Sequence, residues 1–229
     1  MRYPRIIAHR CGGRLAMENT IAGLVAAKQC GCRAVEFDVM LTADRVPILM
    51  HDETLDRTTR IGGRVAALTL AQIRAGDGRV PTLGEAVGAC ERLGLWANIE
   101  LKPAAGHEEE TGEVVCRWLA RNWNGHGVIS SFSARSALAG RRALPAAAFA
   151  LLCCGLPADW SAQAGRLDAV AVHLGGQWVD AAAAAQLAAA GLPWAAWTVN
   201  DAATAERLFS LGAAALITDR PDLLLPAFA

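Results

Sequence analysis

Short apolar runs recur along this chain, separated by longer stretches with helical periodicity. The pattern predicts strands over residues 5–9, 34–40, 96–101, 127–132, 148–153, 169–173, 194–198 and 215–218, each bounded by Gly, Pro, Asn or Asp. Runs this apolar suit strands covered by helices on both faces. Helices are predicted between them, among others over 19–30, 82–92, 108–123, 180–190 and 201–211. Several open on a Thr, Asp or Asn cap, and glycines at 31, 94, 125, 191 and 212 follow them as C-terminal caps. Eight strands with helical returns predict an α/β fold, a single (β/α)8 TIM barrel spanning residues 1–229.

A ninth apolar run, 46–51, does not fit that count. Only residues 42–45 separate it from the second strand, too few for a parallel crossover. A β-hairpin is the simple alternative. With its turn centred on Ala43 and Asp44, Val39 faces Ile48 and Glu36 faces His51. The hairpin and a short insertion, about 53–81, thus follow the second strand and return His51 toward the barrel mouth.

Polar side chains gather where the barrel strands end, the usual position of catalytic groups in such folds. Residues i and i+2 on a strand share a face, so Glu36 points with Asp38, and Glu100 with Asn98 and Lys102. Charges in segments this apolar are costly to bury unpaired. Three carboxylates share that cost by holding one divalent cation, and an all-oxygen donor set favours Mg2+ or Ca2+ over zinc. Arg10 and Lys102 add fixed positive charge suited to phosphate. His9 and His51 exchange protons near neutral pH. Phe132 and Trp197, at strand ends, are candidate walls of the same pocket. Together these groups describe phosphoryl transfer better than sugar or acyl chemistry. No Gly-rich phosphate loop indicates a nucleoside triphosphate.

Other polar residues have blander readings. His107 and Glu108 to Glu110 form the acidic first turn of a helix. Glu18 and Asn19 read as the cap of the first helix. His173, placed at a strand end before Gly175, is a further candidate to line the pocket.

Composition narrows the partners. Of 229 residues, 53% are hydrophobic, enough for one large core. Formal net charge is zero with no basic block, so nothing points to nucleic acid or to an anionic membrane surface. The longest apolar stretch, 143–157, is broken by Pro145 and Gly155 and falls short of the ~18 residues of a spanning helix. No signal-peptide apolar region precedes His9, and seven cysteines without metal-ligand spacing read as reduced thiols. A cytoplasmic protein without stable membrane association is expected; no pattern bears on oligomeric state.

The order His9-Arg10, Glu18-Asn19-Thr20, Glu36/Asp38, His51-Asp52, Asn98/Glu100/Lys102, Ser130 to Phe132, Trp197 to Asn200 and Thr218-Asp219 covers almost the whole chain. It resembles the glycerophosphodiester phosphodiesterases, particularly the compact cytoplasmic bacterial kind. The resemblance implies a barrel with a small inserted segment, one divalent cation, and hydrolysis of a small-molecule glycerophosphodiester to sn-glycerol 3-phosphate and an alcohol. By position, it implies Glu36, Asp38 and Glu100 as metal ligands, His9 and His51 as the acid/base pair, and Arg10 and Lys102 as phosphate contacts. Two residues depart from the family pattern. Cys11 stands where glycine usually follows His-Arg, which predicts strain if φ is positive there and a thiol beside the site, open to alkylation. Met17 replaces a proline before Glu-Asn-Thr. The insertion is short for the family, implying a small lid and an exposed alcohol side. A lipid-cleaving phosphodiesterase and a catalytically silent, ligand-binding barrel are the competing readings.

Overall fold

A computed structural model of the protein describes residues 3–228. The strands are β1 (Ile6–Ala8), β2 (Ala34–Leu41), β3 (Pro47–Leu49), β4 (Trp96–Leu101), β5 (Gly127–Ser131), β6 (Phe149–Cys153), β7 (Ala171–Gly175), β8 (Trp194–Trp197) and β9 (Ala215–Thr218). The helices are α1 (Ile21–Gln29), α2 (Leu70–Gly76), α3 (Leu83–Leu93), α4 (Glu108–Asn122), α5 (Ala134–Ala143), α6 (Trp160–Leu167), α7 (Ala181–Ala189), α8 (Ala202–Ser210) and α9 (Pro221–Phe228). Neighbouring strands run in the order β1-β9-β8-β7-β6-β5-β4-β2-β3, and a β1–β2 pairing closes the sheet. Apart from β3, every pairing is parallel. The fold is therefore the expected eight-stranded TIM barrel with one extra antiparallel strand.

Residue type explains the layers. Inward positions near the N-terminal end are small, with Ala34, Ala150, Ala171, Ala195 and Ala215 around the larger Tyr3 and Trp96. Outward positions such as Val35, Phe37, Ile99 and Ile129 pack against the helices. Threonine and aspartate caps start several helices; Thr82 and Glu85, for example, form a full capping box on α3. No helix among the described residues is long and apolar enough to cross a membrane.

The hairpin register differs from the expected one by a residue. Val39 pairs with Leu49 and Met40 with Ile48. The cause is a three-residue loop, 43–45, in place of a two-residue turn. Arg45 N–H donates to Thr42 O at 2.9 Å and Arg45 is left-handed at φ 61°, the usual build of a three-residue hairpin loop. Backbone pairing with β2 ends at Met50, whose N–H donates to Asp38 O at 3.2 Å, so His51 reaches the mouth from a loop and has no cross-strand partner in Glu36. The insertion has a core of its own in which Leu55, Val65 and Ile73 are fully buried beneath Met40 and Ile48. The strand expected over 169–173 runs from 171 to 175, because left-handed Asp168 ends α6 and residues 169–170 lead into it. That places His173 in mid-strand.

Candidate active site

Parallel register sets the acidic cluster. Glu36 lies beside Asn98, and Asp38 beside Glu100, on adjacent strands β2 and β4. Each of Glu36, Asp38 and Glu100 offers a carboxylate oxygen, and these atoms lie within 4.8 Å of one another. Oxygen–metal distances of ~2.0–2.6 Å allow two ligands of one ion at most ~5 Å apart, so the spacing suits a Mg2+ or Ca2+ shell. All three carboxylates are buried. Burial, then repulsion from Asp38 and Glu100, holds the Glu36 carboxyl well above its ordinary range. The same two causes, burial and Asp38, push Glu100 up to about 8. Glu36 Oε1 is buried with no hydrogen-bond partner among the described residues. A buried acceptor without a donor, in a crowd of like charges, fits a bound cation.

Positive groups surround the cluster. Lys102 Nζ lies 3.4 Å from Asp38 and 3.6 Å from Glu100, and Arg10 Nε lies 3.8 Å from Asp38. The backbone N–H of Arg10 donates to Glu36 Oε2 at 2.8 Å. This loop follows β1 because His9 N–H extends the ladder to Thr218 O at 2.8 Å. It then turns sharply, with Arg10 at φ 47°, Cys11 at 77° and Asn19 at 53°. Non-glycine residues in that region cost on the order of 1–3 kcal/mol each, a strain often met at functional loops.

Cys11 does carry the expected positive φ, but its thiol does not face the site. It is fully buried in the layer between sheet and helices, and burial pushes it well above its ordinary thiol range. Gly23 on α1 makes room, since a Cβ there would stand 3.0 Å from Cys11 Cβ. Asn19 is not the helix cap; Thr20 is, accepting from Gly23 N–H. The Asn19 amide instead donates to Asp38 Oδ2 at 2.8 Å and accepts from Asp38 N–H at 3.2 Å. It braces one member of the acidic cluster on two sides.

The cleft of about 90 Å³ at the C-terminal ends of the strands is lined by His9, Arg10, Glu36, Asp38, His51, Asn98, Glu100, Lys102, Phe132 and Trp197, with Leu152, Thr198 and Ile217. Every candidate named from the sequence for the site, His173 apart, lines that cleft. Phe132 and Trp197 meet edge to face at 5.2 Å and form its apolar wall. His173 is absent from it. Toward the N-terminal end, His173 is fully buried against the Tyr3 hydroxyl at 3.0 Å, and burial lowers it to about 4. A larger cavity of about 580 Å³ beside Tyr3, Arg5 and Arg33 has no carboxylate or histidine among its lining residues.

Both cleft histidines have a carboxylate on Nδ1. His9 Nδ1 lies 2.7 Å from Asp219 Oδ1, and His51 Nδ1 lies 2.6 Å from Asp52 Oδ1. The hydrogen bond to His9 holds Asp219 down at about 2, and Arg57 followed by His51 holds Asp52 well below its ordinary value. Ionised carboxylates accept only, so Nδ1 carries the proton in both rings and Nε2 is left for chemistry. Burial lowers His51 below 6.5, partly offset by Asp38 and Asp52. Asp219 and Asp52 had no role assigned from the sequence alone, and Asn19 only that of a helix cap. Their adjacency to the motifs was visible, but not their partners.

A barrel with histidines, basic side chains and carboxylates converging at the C-terminal ends of its strands has the form of a TIM-barrel enzyme. Comparison with known proteins gives that enzyme a family. Residues 9–223 match the Glycerophosphoryl diester phosphodiesterase family. A glycerophosphodiester phosphodiesterase of Caldanaerobacter subterraneus subsp. tengcongensis is 30% identical over 236 residues, covering 96% of each chain. An Oleispira antarctica phosphodiesterase, solved in complex with the product sn-glycerol-3-phosphate, superposes at TM-score 0.89 with 33% identity over 96% of this chain and 94% of that one. A glycerophosphodiester phosphodiesterase of Thermotoga maritima shares the fold at TM-score 0.83 and 20% identity, over 99% of both chains. The chain belongs to the glycerophosphoryl diester phosphodiesterase family and is a phosphoric diester hydrolase.

Proposed function

We propose that the protein hydrolyses small-molecule glycerophosphodiesters to sn-glycerol 3-phosphate and an alcohol, with one divalent cation and two histidine proton carriers. The observation that carries the reading is the triplet Glu36, Asp38 and Glu100, its oxygens within 4.8 Å of one another, in one cleft with His9 and His51. These three carboxylates would hold Mg2+ or Ca2+, which when bound supplies charge stabilisation to the phosphoryl oxygens.

The remaining work falls to this chain's own groups. Arg10 and Lys102 bind non-bridging phosphate oxygens and neutralise charge that grows during attack. Nε2 of one histidine takes the proton of the attacking hydroxyl, while Nε2 of the other returns a proton to the departing alkoxide. Asp219 and Asp52 hold the two rings in the required tautomer and stabilise each imidazolium as it forms. Phe132 and Trp197 shield one side of the cleft from water and give the glycerol carbons an apolar surface. The attacking hydroxyl is either water or the substrate's own glycerol 2-hydroxyl; the latter expels the alcohol to form a cyclic phosphate that water then opens to sn-glycerol 3-phosphate, and it predicts loss of rate for substrates lacking that group.

A coupled assay for released glycerol 3-phosphate, with the freed alcohol or lysophosphatidate read alongside it, tests the proposal, with glycerophosphocholine, glycerophosphoethanolamine and lysophosphatidylcholine compared, with and without chelator. Release from the glycerophosphodiesters that stops on chelation and falls on the order of 10²–10⁴-fold in His9→Ala or His51→Ala is expected. Full activity in chelator contradicts the metal assignment, and cleavage of the lysolipid alone contradicts the substrate class.

A further inference from the structure

Arg57, in the insertion after β3, is the node of a chain of charged contacts that leaves the cleft at one residue and re-enters it at another. His51 Nδ1 meets Asp52 Oδ1 at 2.6 Å, and the other oxygen of Asp52 accepts from Arg57 Nε at 2.6 Å. The two terminal nitrogens of Arg57 then fork onto Glu18, at 2.8 and 2.7 Å. Glu18 in turn accepts from Arg10 at 3.1 and 3.2 Å. We propose that Arg57 is a positioning residue for the reaction, fixing His51 through Asp52 and Arg10 through Glu18 so that the proton carrier and the phosphate grip move as one frame. The inference rests on the roles proposed above for His51 and Arg10.

Exposure alone argues for little. The Arg57 side chain is 48% accessible, and an isolated pair that open contributes ~0–1 kcal/mol. Three features separate it from an incidental surface pair. First, it uses Nε and both terminal nitrogens on two different carboxylates, a planar fork that lysine does not reproduce. Second, its backbone is anchored: Leu55, two residues earlier, is fully buried, and Thr59 N–H donates to Leu55 O at 3.1 Å. The Asp77 carboxylate also accepts from Arg60 N–H at 3.1 Å. Third, both carboxylates it holds respond to it. Burial acts to raise Glu18, yet Arg57 and Arg10 hold it below its ordinary value, and Arg57 is the largest influence lowering Asp52. The insertion, with its own small core, thereby reaches the cleft through the Arg57 side chain.

Removing the guanidinium has a definite electrostatic consequence. The charged groups facing His51 are Asp52, Asp38, Lys102 and Arg10. Without Arg57, the charge of Asp52 falls undivided on the imidazole and the imidazolium gains stability, so His51 titrates higher. Glu18, relieved of Arg57, draws Arg10 toward itself and away from phosphate.

Arg57→Gln and Arg57→Lys test this, each assayed with Mg2+ on glycerophosphocholine across pH, with His51 followed by NMR titration of its ring. In Arg57→Gln, kcat is expected to fall on the order of 10–100-fold, and the His51 midpoint to rise by about one pH unit. Arg57→Lys keeps the charge without the fork and should recover most of the midpoint but only part of kcat. A variant that loses thermal stability while keeping wild-type kcat per folded molecule and an unmoved His51 midpoint overturns the proposal. If Arg57→Gln does not fold, Arg57→Lys with wild-type kcat overturns it equally. Absence of turnover in the wild-type chain would count against the proposed function, whereas the His51 titration judges the Arg57 frame independently.

Discussion

The acidic cluster predicts an unusual dependence of stability on pH in the metal-free protein, and Glu100→Gln isolates it. Glu100 stands at about 8 in the folded chain against an ordinary 4.5. A carboxyl raised on folding binds more protons in the native than in the unfolded state between those values, so stability falls as pH rises through that window. At ~1.36 kcal/mol per unit, titrating this one group between pH 5 and 8 removes roughly 3–4 kcal/mol. His173 works in the opposite sense. Burial lowers it from 6.5 to about 4, so the unfolded chain holds the extra proton and stability rises by about 2 kcal/mol over the same range. The wild-type curve combines these two with Glu36, itself held high by burial and its neighbours, which is why the variant is needed. In Glu100→Gln the histidine contribution remains and the carboxyl contribution is gone; Glu36, freed of one like charge, titrates lower as well. With chelator present, the two proteins are expected to be nearly equal at pH 5. At pH 8 the variant should be more stable by roughly 3–4 kcal/mol, on the order of 10 °C in Tm for a chain this size. Adding Mg2+ or Ca2+ at pH 8 should raise the wild type and largely spare the variant. Thermal unfolding by circular dichroism at four pH values, with chelator or cation, measures all of this. Parallel wild-type and variant curves from pH 5 to 8 would refute the reasoning.

Three further outcomes are expected. Asp219→Asn, which removes the charge 2.7 Å from His9 Nδ1, should lower kcat on the order of 10²–10⁴-fold with little change in KM, measured by glycerol 3-phosphate release. Asn19→Ala withdraws both hydrogen bonds from Asp38 and should weaken cation affinity on the order of 10–100-fold by calorimetric titration. N-ethylmaleimide should label exposed Cys154 in the folded protein but not buried Cys11, leaving activity intact; mass spectrometry of the labelled peptides with a parallel assay checks both.

Much of the architecture was legible because two physical periods were clean. Apolar runs such as 34–40 and 96–101 separated by capped helices require a parallel sheet, and the i, i+2 rule puts Glu36 with Asp38 on one face. The convergence of these residues with Glu100 follows from register, since Asp38 and Glu100 are direct neighbours on β2 and β4. What escaped the sequence was set by single backbone residues. A left-handed Arg45 lengthened the hairpin loop and moved its register by one. A left-handed Asn19 turned a presumed cap toward Asp38. Left-handed Asp168 delayed β7 and removed His173 from the mouth. Contacts across long separations, such as Arg57 to Glu18 or His9 to Asp219, have no local signature at all.

The central claim is that Glu36, Asp38 and Glu100 share one cation. Crystals soaked in Mn2+ and measured at the manganese absorption edge test it most directly. One anomalous peak within ~2.0–2.6 Å of an oxygen from each of the three carboxylates is expected. A difference map with no peak between them, or with its only peak elsewhere on the chain, would contradict the account.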